Sequence, residues 1–225
     1  MALTFTCTSN HWICGGSGTG LNFTASFTIE AWICTCTCVA GCARSIMNRL
    51  QCESWDQGYA LGLIGGCVSL YTINYPLGTE ICSTSTVPNA TWTHVAGVHD
   101  SVAGISRLYI NGTDVTPATC AADTPSSCPT NYICIGSNSS GSSESFNGRI
   151  DELRAWSGAR TQEQICTFMY KRIIPDGSCL KAVWRMNEFS GTCAYDISGN
   201  ANNGTFCNMT AANYVDGAPI MSLYD

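Results

Sequence analysis

The stretch Phe146-Asn-Gly-Arg-Ile-Asp-Glu-Leu-Arg-Ala-Trp156, followed at once by Thr161-Gln-Glu-Gln-Ile165, decides how this 225-residue chain is read. Its first part alternates. Ile150, Glu152, Arg154 and Trp156 fall on one side of a strand, and Asp151, Leu153 and Ala155 on the other. A Ser157-Gly-Ala-Arg160 link follows. Thr161 then reads as a helix N-cap, with Gln164 three residues on as its capping-box partner. The helix is expected near 162–171, closed by Pro175 and Gly177.

Elsewhere the pattern is strand after strand, with turn residues between. Phe27-Thr-Ile-Glu-Ala-Trp-Ile33, Tyr59–Leu63, Val68–Ile73 and Thr91–Val98 all alternate. Within Arg107–Val115, Asn111-Gly112 supplies the two positive-φ residues of a type I′ hairpin turn. Asn131–Gly136 reads as a further strand, and Ser137–Ser145 as a Ser/Gly-rich loop. Many strands with one short helix predict an all-β, two-sheet antiparallel sandwich.

Several of these strings resemble the laminin-G-like (type 3) jelly rolls of the concanavalin A-like lectin/glucanase superfamily. They are the G-x-I-D-E-x-R-x-W string at Gly148–Trp156, Ser26–Trp32, Trp92-Thr-His-Val-Ala96, and Leu108-Tyr-Ile-Asn-Gly112, with Asn111 where the family usually has Asp. The resemblance implies a jelly-roll core over residues 1–178 and an extracellular binding or structural module rather than an enzyme. Residues 179–225 hold a second family element: Leu180–Glu188, Ser190-Gly191, Asp196–Asn200 and Asn203–Thr205. In the family this element often precedes the strand that Ala2-Leu-Thr-Phe5 resembles, whereas here it follows the core. It either folds back on its own sandwich or completes a neighbouring copy's. The second option favours a structural subunit that joins copies of itself head to tail into a filament or surface layer. The alternative is a calcium-dependent carbohydrate-binding lectin or adhesion module, with glycans as partners.

Composition points to the same compartment. Sixteen cysteines, an even number, suit an oxidising extracellular setting. They are Cys7, Cys14, Cys34, Cys36, Cys38, Cys42, Cys52, Cys67, Cys82, Cys120, Cys128, Cys134, Cys166, Cys179, Cys193 and Cys207, and all are expected in disulfides. A net charge of −6 argues against a nucleic-acid or anionic-membrane partner. No apolar run is long enough to span a bilayer. Met1-Ala-Leu-Thr-Phe5 is not a secretory leader, so the chain reads as a mature or trimmed product. Six sequons begin at Asn22, Asn89, Asn111, Asn138, Asn203 and Asn208. Asn138, at the tip of the Ser/Gly loop, is expected to accept glycan most readily, and Asn111, in a tight turn, less so.

Candidate chemistry is sparse. Cys34-Thr-Cys36-Thr-Cys38, with Cys42 close by, could hold a metal as thiolates. Cysteines at i and i+2 of one strand point in parallel, and so are better placed to bridge to neighbouring strands. By the resemblance, Asp151, Asp196 and Asn200 are candidate calcium ligands, with Ser198 beside them; equally, Asp196 and Asn200 could cap a turn. No closely spaced acidic triplet of the glucanase kind is present, and adjacent Asp151 and Glu152 should face opposite ways on a strand, so no catalytic residue is assigned. His94 is expected as a core or rim hydrogen-bonding group rather than a base. Sugar sites use aromatic rings with polar partners, and Trp12, Trp55, Tyr71 and Tyr75 are the candidates.

Overall fold

The computed structural model describes residues 1–15, 19–36, 43–50, 57–74, 76–127, 132–138, 144–176 and 179–221. In chain order the strands are β1 (Ala2–Phe5), β2 (Trp12–Gly15), β3 (Phe27–Thr35), β4 (Ala43–Leu50), β5 (Gln57–Ile64), β6 (Cys67–Asn74), β7 (Leu77–Thr86) and β8 (Thr93–Asp100). Then come β9 (Ile105–Ile110), β10 (Thr113–Asp114), β11 (Cys134–Ile135), β12 (Gly148–Trp156) and the helix α1 (Gln162–Phe168). The chain ends with β13 (Leu180–Trp184), β14 (Cys193–Ala194), β15 (Gly204–Cys207) and β16 (Tyr214–Val215).

These strands form two antiparallel sheets. The first runs β10-β9-β8-β3-β12-β1-β16, with β13 also on β12, and the second runs β14-β15-β2-β11-β4-β5-β6-β7. The core lies between them. Phe27, Ile29, Ala31 and Ile33 of β3 belong to one buried cluster with Tyr59, Leu61 and Leu63 of β5. The Phe, Ile and Leu side chains among them each contribute roughly 1.5–3 kcal/mol when fully buried. Strand β3 is buried along its whole length, because its other face, with Thr28, Glu30 and Trp32, is covered as well. The cover is the α1 segment: Trp32 Nε1 donates to the Met169 carbonyl at 2.7 Å.

The β9–β10 turn is as expected, with Asn111 at φ 49° and Gly112 at φ 75°. The capping box of α1 also forms, joining Thr161 and Gln164. The helix is shorter than the spacing implied and stops at Phe168. The reason is tertiary. Arg154 donates to the Phe168 carbonyl at 3.1 Å and Trp32 to the Met169 carbonyl at 2.7 Å, so donors from the sheet satisfy acceptors that another helical turn would have used.

Strand β12 departs from simple alternation. Its register on β3 slips between Asp151 and Arg154, and Glu152 sits at φ 43°. This bulge adds one residue and reverses the facing of what precedes it. Ile150 therefore joins Leu153 and Ala155 in the core, instead of sharing a side with Arg154 and Trp156. Asp151 and Glu152, expected on opposite faces, both lie outside that core cluster.

The C-terminal element docks on its own sandwich. Strand β13 pairs with β12, β15 pairs with β2, and β16 adds to β1 through Ala2–Val215 and Leu3–Tyr214. Trp184, Met186, Phe206 and Met209 enter the main core. Tyr214 packs edge-on against Phe206 and donates to Glu188 at 3.3 Å.

Candidate functional site

The outer face of the first sheet carries a buried charge network. Glu30 lies 3.5 Å from Arg154 and 3.7 Å from His94, and accepts from Trp156 Nε1 at 3.0 Å. Arg154 also meets Glu152 at 3.1 Å, and Arg185 approaches the same carboxylate at 3.7 Å. Burial lowers the His94 pKa to about 4, against the opposing pull of Glu30, so the ring is neutral at pH 7. Glu30, His94, Glu152 and Arg154 are each at most 3% exposed, and none of them lines either cavity described below. They hold the α1 segment on the sheet.

An open groove of about 300 Å³ lies on the outer face of the second sheet. Its position follows from the alternation of β5. Tyr59, Leu61 and Leu63 face the core, which leaves Gly58, Ala60 and Gly62 facing out. Gly62 sits so close to β4 that a Cβ there would stand 2.6 Å from the Arg44 carbonyl oxygen. Small residues thus set a low floor. Polar groups stand around it on a single cross-strand row, Asn48–Ala60–Tyr71–Glu80, which register places directly opposite one another. Ser69, Arg44 and Glu144 complete the lining.

Each of these groups is positioned. The Tyr71 ring packs over Gly78 of β7. Ser69 donates to Glu80. Asn48 Nδ2 donates to Ser45 Oγ at 2.7 Å and to the Ser137 carbonyl at 2.6 Å, which leaves its buried Oδ1 without a partner. Arg44 Nε is likewise buried and unpartnered. Burial, and then Glu80, raises the Glu144 pKa. The groove therefore offers an aromatic ring beside carboxylates, an amide, a guanidinium and hydroxyls, a set that can hydrogen-bond a polyol and pack on its apolar face.

Of the aromatic candidates, Tyr71 lines the groove. Trp12 is half-buried on β2, outside the lining. Trp55 and Tyr75 lie outside the described residues. Sequence reasoning missed Asn48, Ser69, Glu80, Arg44 and Glu144. The one signal that could have found them is the Gly58–Ala60–Gly62 series of small outward residues.

The calcium candidates are each engaged by other groups of the protein. Asp196 Oδ1 accepts from the Val183 and Ser198 amides, and its Oδ2 from Ser198 Oγ and the Asn202 amide, all at 2.9 Å. Asn200 uses its side-chain NH2 on the Leu180 and Lys181 carbonyls. Asp151 is engaged elsewhere, by the Glu152 and Ala218 amides. With its oxygens committed to protein donors, the Asp196 turn as arranged does not fit a calcium ion. Among the described residues no group of three or more His, Cys, Asp or Glu could hold a metal.

No disulfide joins the described cysteines. Register nevertheless sets Cys14 of β2 directly opposite Cys134 of β11. Cys38, Cys42, Cys52 and Cys128 lie outside the described residues. Among the sequons, Asn138 is 2% exposed rather than presented at a loop tip. Asn89, Asn203 and Asn208 are exposed. The Asn111 side chain accepts from the His94 amide at 2.9 Å.

Residues 8–166 match the model of the laminin G type 3 family, described as the concanavalin A-like lectin/glucanases superfamily. Among solved structures, the chain resembles a Bacteroides ovatus ATCC 8483 protein assigned to carbohydrate binding, with a TM-score of 0.66 and 22% identity. The likeness covers 91% of this chain but only 57% of that one. A heptameric SAP-like pentraxin from Limulus polyphemus gives a TM-score of 0.56 at 20% identity, over 74% of this chain and 80% of that one. The CBM40 of a Ruminococcus gnavus IT-sialidase, bound to α2,3-sialyllactose, gives 0.59 at 12%, over 74% and 95%. At these identities the likeness is one of fold. No curated protein matches the chain.

Proposed function

The chain belongs to the laminin-G-like type 3 family of the concanavalin A-like superfamily, and from that premise we propose that it is a non-catalytic carbohydrate-binding module. Its ligand is a neutral oligosaccharide seated in the groove of the second sheet. The observation that carries this reading is the row Asn48–Ala60–Tyr71–Glu80, which sets hydrogen-bonding groups on either side of an aromatic ring. Arg44 against Glu80 and Glu144 leaves the groove with one excess negative charge, which disfavours an acidic sugar. Two solved neighbours, one bound to sialyllactose and one assigned to carbohydrate binding, support the reading by analogy of fold.

Head-to-tail assembly, which the order of sequence elements favoured, is set aside because the groove and the solved neighbours support sugar binding more directly. An extracellular setting is part of the proposal, supported by the cysteine count and the exposed sequons. No helix among the described residues is long and apolar enough to cross a membrane.

Calorimetry against a panel of neutral oligosaccharides tests the proposal. Binding by the native chain that Tyr71→Ala weakens about tenfold or more is expected, from the loss of ring contact. No binding across the panel, or binding indifferent to Tyr71→Ala and Glu80→Gln, overturns it. Release of reducing ends that Glu144→Gln abolishes would show an enzyme instead.

A further inference from the structure

A second cavity, of about 430 Å³, lies on the opposite side of the sandwich, between α1 and the segment that follows it. Its floor is Trp156 of β12, and its walls include Phe168, Ile173 and Ile174. Arg160 lies over the Trp156 ring, 3.9 Å from its centroid, and 5.4 Å from that of Phe168. Lys171 Nζ stands 5.6 Å from the Phe168 ring. Arg172 completes a set of three cations, and Asp176 is the one acid in the lining.

Asp176 is the one carboxylate set among these three cations, whereas the charge just beneath is matched. Glu30 and Glu152 on the sheet below are taken up by Arg154, Arg185, His94 and Trp156. No ion pair among the described residues engages Arg160, Lys171 or Arg172. The Nε atoms of Arg160 and Arg172 are buried without a hydrogen-bond partner. A chain of net charge −6 thus holds a pocket carrying two excess positive charges. Keeping cations close together and unpaired is unfavourable by itself, and an anion placed among them removes that repulsion.

We propose that this cavity is a second binding site, for a saccharide ring bearing an oxyanion, either carboxylate or sulfate. The oxyanion meets the guanidinium and ammonium donors of Arg172 and Lys171. The ring packs on the exposed edge of Phe168 and on Ile174, which are 38% and 66% exposed, and the Gln164 amide is at hand for hydroxyls. The Arg160 stack on Trp156 fixes one wall in advance. The site shares no lining residue with the groove over Tyr71 and stands or falls apart from it.

The test uses the full chain carrying Tyr71→Ala, so that the groove is silenced. Three trisaccharides are compared by calorimetry: trigalacturonate, a sulfated galactose trimer without carboxylate, and neutral maltotriose. At least one oxyanion probe should bind, weaken as salt rises, and lose about tenfold or more in affinity in the Lys171→Glu/Arg172→Glu variant. A thermal melt unchanged by that double variant shows that folding is intact. Binding of the first probe alone identifies carboxylate as the ligand group, and binding of the second alone identifies sulfate. The proposal is overturned if neither charged probe binds at millimolar concentration, if charge reversal leaves their binding unchanged, or if maltotriose binds as well as they do.

Discussion

The Tyr71 ring rests on Gly78 of the adjacent strand: a Cβ on that glycine would stand 2.9 Å from the Tyr71 hydroxyl oxygen. The two are diagonal neighbours, since Tyr71 pairs with Glu80 and Ile73 with Gly78. Absence of a side chain at one position therefore sets the tilt of the ring at the other. Gly78→Val should lift the ring and reduce oligosaccharide affinity by about tenfold, close to the effect of Tyr71→Ala. The melting temperature should change little, because Gly78 lies outside the core and has no unusual φ. Calorimetry with a denaturation curve checks both halves, and full retention of affinity would show that the ring does not contact ligand.

Arg154 is the hub of the network under α1, where it meets Glu30, Glu152 and two carbonyls. Arg154→Met should destabilise the fold by about 3–5 kcal/mol, because two buried carboxylates lose a cation and two carbonyls lose a donor. Adding Glu30→Gln should recover part of that loss, since one of the stranded charges is then removed. Urea unfolding of the single and double variants measures the coupling, and a strictly additive pair would show that Glu30 and Arg154 act independently.

Asp151 ties the C-terminal tail to β12 through the Ala218 amide at 2.8 Å. Burial raises its pKa to about 7, against the hydrogen bond from Ala218, and the neighbouring Glu152 pushes the same way. The folded state thus holds a proton that the unfolded chain releases near pH 4. Stability contributed by this group is full below about pH 4 and falls as pH rises to about 7. Asp151→Asn should therefore gain on the native chain as pH rises from 4 to 8, by on the order of 2–4 kcal/mol, set against a pH-independent cost because its NH2 cannot accept from the Glu152 or Ala218 amide. His94 acts in the opposite sense. Its pKa is lowered to about 4, so its contribution is lost as pH falls from about 6.5 to 4. The native curve combines both groups, and the difference between variant and native curves isolates Asp151. A difference that does not vary with pH would contradict this account.

Cys14 and Cys134 stand directly opposite each other in an antiparallel pair. Such partners have Cα atoms roughly 4.5–5.5 Å apart, inside the span that a disulfide bridges. Treatment with oxidised glutathione should link them in preference to pairs of distant strands, and non-reducing peptide mapping would identify the linked peptide. Recovery of both thiols unmodified, with other cysteines bridged, would show that the sheet geometry at this site resists closure.

What could be read along the chain was whatever depends on neighbours in sequence. Alternation in Phe27–Ile33 and Tyr59–Leu63, the Asn111-Gly112 turn and the Thr161–Gln164 capping box are local, and all four appear where the residues place them. The two-sheet sandwich followed, and Tyr71 among the sugar candidates was already marked. Contacts between distant segments decided the rest. The bulge at Glu152 turns Ile150 inward, and it sits where Arg154 and Arg185 close on the Glu152 carboxylate. The helix ends at Phe168, where side chains of the sheet, Arg154 and Trp32, take the Phe168 and Met169 carbonyls. Asn138 is buried although its local sequence reads as an exposed loop tip. The groove exists only because register brings residues of four strands into one row across positions 48 to 80. Period and capping are properties of short windows; register, bulges and burial depend on which strands meet, and that pairing is settled only when the whole sandwich closes.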